Sequence, residues 1–302
     1  MNRRPKSLQA GDHIRILAPA KAIEAALVER AKSFLIEKGF EVSISDHCLG
    51  NYHYFSGTIE ERLRDLQEAM DDDKVDAIWC ARGGYGCIQL VDRLNWVGMI
   101  RSPKWVIGFS DITFLHQRLH RHRIQSIHGT MPLNFESNSE ESFGTVFDAL
   151  FDKDYSIQAK HNRHNKFGTT TGTLIGGNLS ILYANIGTQD ALNYDDSILF
   201  IEEVSEPLYA IDRIFHALSR SGVLDKIRGL IVGGMSHLSD SEVPYGNSLE
   251  EIVLSHFEYR KIPVGFDVPA GHIDDNRAMT LGAEIRFDVS PEGSNISFSS
   301  EG

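Results

Sequence analysis

Along the first half of the chain, short apolar runs alternate with longer stretches of helical periodicity. Residues 14–19 read as a strand that ends at Pro19, and residues 24–38 carry apolar positions at helical spacing (Ala25, Leu27, Ala31, Leu35) up to Gly39. Residues 40–44 read as a second strand. Thr58-Ile59-Glu60-Glu61 has the capping-box pattern of a helix start, and Leu63, Leu66 and Met70 supply an apolar stripe behind it. Residues 77–80 and 104–108 read as two more strands. The first of these runs into Arg82-Gly83-Gly84-Tyr85-Gly86, and the second into Phe109-Ser110-Asp111 and a helical segment from Ile112 onward. Strands that alternate with helices predict parallel βαβ units, with ligands at the carboxyl ends of the strands. Both glycine-containing turns fall at such ends.

The second half has a different pattern. Residues 155–173 are polar and irregular and read as a linker. An apolar strand (198–201), a helix (about 209–221), a glycine-flanked apolar run (229–234) and two β-like runs (283–289 and 295–299) follow. The fold class is therefore α/β: a flavodoxin-like parallel-sheet domain over residues 1–155, a linker over 156–172 and a smaller β-rich α/β domain over 173–302.

A length of 302 residues agrees with two domains. The apolar fraction of 41% and charged fraction of 24% exclude a disordered or fibrous chain. A net charge of −12 argues against a nucleic-acid partner, which needs a basic surface. No run approaches the ~18–20 apolar residues of a membrane span, and the basic start lacks the apolar stretch of a signal peptide, so no membrane partner is expected. Three cysteines (Cys48, Cys80, Cys87) without C-x-x-C spacing point to a reducing, cytoplasmic compartment.

Several residues could carry chemistry. Ser110 lies between a strand and a helix-like segment, where a tight turn can hold a side chain over the sheet edge and aim the next amide at an oxyanion. The same Ser110-Asp111 pair could equally cap the helix. The glycine amides of 83–86 could form an anion-binding nest or a plain tight turn. Glu202 and Glu203 end an apolar strand, where one carboxylate could orient a histidine. His272, in Ala270-Gly271-His272, and His128, in Ile127-His128-Gly129, stand out by setting among 13 histidines. No H-E-x-x-H or comparable spacing is present, so no metal or cofactor is expected.

Taken in order, these segments resemble the serine LD-carboxypeptidase family, which also contains the microcin C immunity peptidases. The matching pieces are Gly11 to Pro19, Tyr54-Phe55-Ser56-Gly57-Thr58 with Arg62, Asp65 and Leu66, and Ala81-Arg82-Gly83-Gly84-Tyr85-Gly86. Gly108-Phe109-Ser110-Asp111-Ile112-Thr113, His128-Gly129, Gly176-Gly177-Asn178-Leu179 and Ile201-Glu202-Glu203 follow. Glu206-Pro207, Ile211-Asp212-Arg213 and Gly271-His272 with Asn276 and Leu281-Gly282 complete the series.

The resemblance implies a triad of Ser110 as nucleophile, Glu202 as orienting acid and His272 as general base. It also implies an oxyanion hole from the amides of Asp111 and Gly84. The nucleophile comes from the first domain and the other two triad members from the second. Arg82 and Tyr85 are candidates for substrate binding, Arg82 as the cation for a free carboxylate. The implied substrate is a small peptide, a murein tetrapeptide losing its terminal D-alanine, and the implied assembly is a homodimer. Two rivals stand beside this reading: an amidase acting on a peptidyl-nucleotide, and a non-enzymatic small-molecule binding protein. The compact segment between Gly177 and Glu202 favours the murein enzyme. The chain departs from the family at Glu203, where aspartate is frequent, and at Thr280 and Thr130, where proline is. Adjacent acids compete for the triad role; strand alternation lets only one face the site, and the match favours Glu202.

Overall fold

The computed structural model describes residues 2–300. The chain divides into two compact units. One comprises the residues up to 153 together with Asp274–Gly282, and the other comprises Asp154–Ile273 and Ala283–Ser299.

The first unit opens with β1 (His13–Leu17), α1 (Ala25–Glu37), β2 (Glu41–Ile44), α2 (Ile59–Asp71) and β3 (Ala77–Cys80). It continues with α3 (Val97–Arg101), β4 (Trp105–Gly108), α4 (Thr113–Arg121), β5 (Ser126–His128) and α5 (Glu140–Leu150). The five strands pair in parallel in the order β2-β1-β3-β4-β5, the flavodoxin-like arrangement expected from the alternating pattern. β3 and β4 are buried at every position, which is why they read as continuous apolar runs. The capping box of α2 forms as anticipated. Thr58 Oγ1 accepts the Glu61 amide at 3.2 Å, and Glu61 Oε2 accepts the Thr58 amide at 2.8 Å. The buried face of α2 is less apolar than its stripe implied, because Arg62 and Asp65 lie inside with Leu66 and Met70.

The second unit contains β6 (Tyr155–Lys160), β7 (Gly168–Asn178), α6 (Leu179–Ala184), β8 (Ile198–Val204) and α7 (Leu208–Arg220). β9 (Gly229–Ser236), α8 (Leu249–Ser255) and β10 (Val264–Gly265) follow. The chain then re-enters the first unit, where β11 (Met279–Leu281) pairs antiparallel with β5 and places Thr280 opposite Ile127. β12 (Glu284–Ser290) and β13 (Gly293–Phe298) return to the second unit and complete a seven-stranded sheet, β10-β9-β8-β7-β12-β13-β6. Its β7–β10 half is parallel and its β7, β12, β13, β6 half antiparallel.

Residues 156–172, expected as a linker, thus hold most of β6 and the start of β7. Both alternate exposed and buried positions, because an antiparallel sheet leaves one face in water. The parallel half is covered by α6, α7 and α8. Leu199, Ile201, Leu230 and Val232 pack there with Ile211, Phe215, Leu218 and Phe257. Burying each such side chain contributes roughly 1.5–3 kcal/mol, enough to hold β8 and its two terminal acids in a fixed place.

Candidate active site

In the first unit, β4 ends at Gly108 beside the end of β3, with Ile107 level with Trp79. A Cβ on Gly108 would lie 3.0 Å from Ile112 Cγ1 and 3.2 Å from Cys80 Cβ, so only glycine lets the chain turn so close to the neighbouring strand. The Gly108 carbonyl accepts from His116 Nε2 at 2.8 Å and from the Gly129 amide at 3.3 Å. Because Nε2 faces a carbonyl it carries the proton, and His116 Nδ1 accepts from the Ser126 hydroxyl at 2.8 Å. Burial, outweighing the Gly108 hydrogen bond, pushes the His116 pKa down to about 3, so this histidine is a neutral brace between β4, α4 and β5.

Phe109 is extended, and Ser110 then adopts φ +64, in the left-handed region. That conformation costs a non-glycine residue roughly 1–2 kcal/mol. Ser110 is not a helix cap. The residues flanking the following single turn and α4 are Phe109 and Ile112, and neither caps through its side chain. The local ambiguity between cap and strained turn is settled in favour of the turn.

The Arg82–Gly86 turn packs directly on this feature. A Cβ on Gly83 would lie 2.9 Å from Ser110 Cβ and 3.2 Å from the Asp111 amide nitrogen. Gly84 has φ +111, and a Cβ there would meet Lys21 Cβ at 2.9 Å. Asp111 Oδ2 accepts the Cys87 amide at 2.8 Å, tying the serine turn to the glycine turn. Burial pushes the Asp111 pKa up, against the hydrogen bonds from Cys87 and the Arg62 charge. Arg62 donates to the carbonyls of Gly57, Pro19 and Gly86 and to Gln89 Oε1.

The bracing by Arg62 and His116 is not legible in the sequence. Arg62 carries no signal there beyond its place in the family match, and His116 has the setting of any histidine on a helix. Arg82 donates to the Ala22 carbonyl at 3.1 Å, which engages one of its nitrogens in the scaffold. Tyr85 is half exposed, its ring 6.3 Å from Phe55. His128 is fully buried in β5 against Phe109 and His116, and Thr130 accepts the Trp79 indole N–H on its carbonyl.

In the second unit, the two acids at the end of β8 point to different partners. Glu202 is fully buried, and its Oε2 accepts from His272 Nδ1 at 2.5 Å. Glu203 is also buried, but its carboxylate accepts from Asn178 Nδ2 (2.9 Å), the Ser180 amide (2.7 Å) and the Val204 amide (2.8 Å), at the start of α6. The β8–β9 register shifts between Ile201 and Glu203, where Gly233 and Gly234 fall on β9. A Cβ on Gly233 would lie 2.5 Å from the Ala270 carbonyl, and the Gly234 amide donates to that carbonyl at 2.8 Å. The glycine pair therefore lets the segment before His272 lie on β9. Gly271, at φ +112, leaves no room for a side chain, since a Cβ would lie 2.6 Å from Glu202 Cβ.

The His272 pKa is set by burial, which pulls it down, and by the Glu202 charge and hydrogen bond and the Glu203 charge, which together prevail and leave it raised above 6.5. In the general-base role that the family resemblance implies, His272 works neutral, and kcat/KM is then expected to rise with pH through an acid limb whose midpoint lies above 6.5. Stability runs the other way. The folded protein holds this proton more tightly than the unfolded chain, so the contribution is complete below about 6.5 and is lost as pH rises through the folded value. A pH–rate profile with its midpoint below 6.5 in the intact enzyme would contradict this coupling.

Comparisons with known proteins identify both parts of the chain. Residues 14–129 match the LD-carboxypeptidase N-terminal domain and residues 171–287 the LD-carboxypeptidase C-terminal domain. The chain is 33% identical over 299 residues to the murein tetrapeptide carboxypeptidase of Pseudomonas aeruginosa, covering 93% of this chain and 96% of that one. It superposes on the muramoyltetrapeptide carboxypeptidase of Oxalobacter formigenes with a TM-score of 0.87 and 25% identity, over 95% and 99% of the two chains. An MccF-like protein from Bacillus anthracis shares the fold at a TM-score of 0.87 and 24% identity, over 99% and 100% of the chains. The chain belongs to the LD-carboxypeptidase family.

Proposed function

We propose that this serine carboxypeptidase hydrolyses the L,D-peptide bond of a murein tetrapeptide stem and releases its terminal D-alanine. The observation that carries the catalytic assignment is the 2.5 Å contact between His272 Nδ1 and the buried Glu202 carboxylate. A carboxylate only accepts, so Nδ1 bears the proton and the Nε2 lone pair is the basic one. In the proposed reaction His272 Nε2 takes the hydroxyl proton of Ser110 as Oγ attacks the carbonyl carbon. The amides of Asp111 and Gly84 hold the resulting oxyanion. The proton passes to the departing D-alanine amine, and water then cleaves the acyl-enzyme, with the proton returning to Ser110. The substrate assignment is supported by relatives named as murein tetrapeptide carboxypeptidases. We place the enzyme in the cytoplasm as a homodimer. Three buried cysteines without disulfides among the described residues support a reducing compartment, and the dimer is what the family resemblance implies.

Incubation with a purified murein tetrapeptide is expected to release one D-alanine per tetrapeptide, measured by a D-amino-acid assay. An aminoacyl sulfamoyl adenylate is expected to remain intact. Cleavage of the adenylate without D-alanine release would move the protein to the amidase reading. Absence of both reactions, with no labelling of Ser110 by a serine-reactive probe, would leave a binding protein.

A further inference from the structure

The helices α7 and α8 carry a cluster that the serine chemistry does not use. Asp212 and His216 are one helical turn apart on α7, with His216 Nε2 3.6 Å from Asp212 Oδ2. His256, the residue that closes α8, brings its ring within 4.7 Å of the His216 ring, centroid to centroid, at 81°. One donor atom from each of the three residues lies within 4.8 Å of the others. A further observation singles out His256: its Nε2 is buried and has no hydrogen-bond partner among the described residues. A buried ring nitrogen left unsatisfied calls for a partner.

We propose that Asp212, His216 and His256 bind one divalent transition-metal ion of the Zn²⁺ or Co²⁺ type. Two imidazoles and one carboxylate suit such ions, whereas Mg²⁺ and Ca²⁺ take all-oxygen sets. With bonds of about 2.0–2.1 Å, tetrahedral donors sit ~3.4 Å apart, so donors at the 4.8 Å limit must close by about 1.4 Å. His216 can supply that movement, since its side chain is 62% exposed. The other two ligands are already held. Phe215 stacks on the His256 ring at 5.8 Å, and the Asp212 side chain is only 24% exposed. Arg260 turns two of its nitrogens to Asp225 and donates from a third to the His256 carbonyl.

The test is titration of chelator-treated full-length protein with Co²⁺ alone, read by visible absorption and equilibrium dialysis. Wild type is expected to bind one equivalent with the intense absorption of a low-coordinate site. His216→Ala and Asp212→Asn are each expected to weaken binding at least tenfold, with unchanged circular dichroism. His164→Ala, outside the cluster, is expected to bind like wild type. Two results would overturn the proposal: no stoichiometric Co²⁺ binding by wild type, or folded His216→Ala and Asp212→Asn proteins that both bind as wild type does. Because His216 is on the surface, a folding failure of that variant is not expected, and Asp212→Asn preserves side-chain shape.

Discussion

Replacing Ser110 by alanine is expected to lower kcat for D-alanine release by about 10⁴-fold or more, as loss of a triad nucleophile does elsewhere. The expectation rests on placement. Ser110 occupies a strained turn at φ +64 and is not a cap, so its hydroxyl has no structural duty that would explain keeping a non-glycine residue there. Alanine retains the Cβ, and with it the backbone crowding, so thermal stability should change little. Glycine at the same position is a sharper probe, because it removes the hydroxyl and also the roughly 1–2 kcal/mol of left-handed strain. Ser110→Gly should therefore be as inactive as the alanine variant, yet melt no lower than wild type despite glycine's greater freedom when unfolded. Normal turnover of an L,D-tetrapeptide by Ser110→Ala would remove Ser110 from the mechanism. A glycine variant clearly less stable than the alanine variant would show that the strain is absent.

The parts of this arrangement that could be read from sequence are those in which a local pattern and the tertiary outcome agree. β3 and β4 are buried on both faces and flanked by helices, so their apolar runs and the turns that end them were visible, and the carboxyl-end position of Ser110 followed. The capping box at Thr58 is a four-residue device and was equally legible. β6 and the start of β7 were not, because Gln158, Lys160, Thr169 and Thr171 face solvent on a one-sided antiparallel sheet and give the segment a loop-like composition. The backbone strain at Ser110 leaves no mark in residue type. The neutral His116 brace depends on Gly108 and Ser126, which only folding brings to it. The metal-ligand candidates show the same limit. The Asp212–His216 spacing is a readable helical pair, but the third member, His256, lies 40 residues farther along and joins it only through the packing of α7 and α8.

The adjacent acids at the end of β8 give the other large expected effect. Glu202→Gln should lower kcat about 10⁴-fold with little change in KM, while Glu203→Gln should cost stability and less than tenfold in kcat. The difference follows from what each carboxylate meets. At Glu202 the partner is His272 Nδ1, 2.5 Å away. A glutamine can present its N–H₂ group to that nitrogen, which turns Nδ1 into an acceptor and moves the ring proton to Nε2. An imidazole in that tautomer cannot take the hydroxyl proton of Ser110. The glutamine also removes the negative charge that raises the His272 pKa, so any residual activity should have an acid limb shifted to lower pH. At Glu203 the partners are three N–H groups, from Asn178, Ser180 and Val204. Glutamine has one acceptor oxygen in place of two, so it leaves at least one buried donor poorly paired, at a cost of about 1–3 kcal/mol, and removes a negative charge from the start of α6. Measuring both variants by thermal unfolding and by kcat at several pH values separates the roles. If folded Glu203→Gln loses 10⁴-fold in kcat while Glu202→Gln stays active, the triad acid is Glu203, and the contact between Glu202 and His272 is structural only.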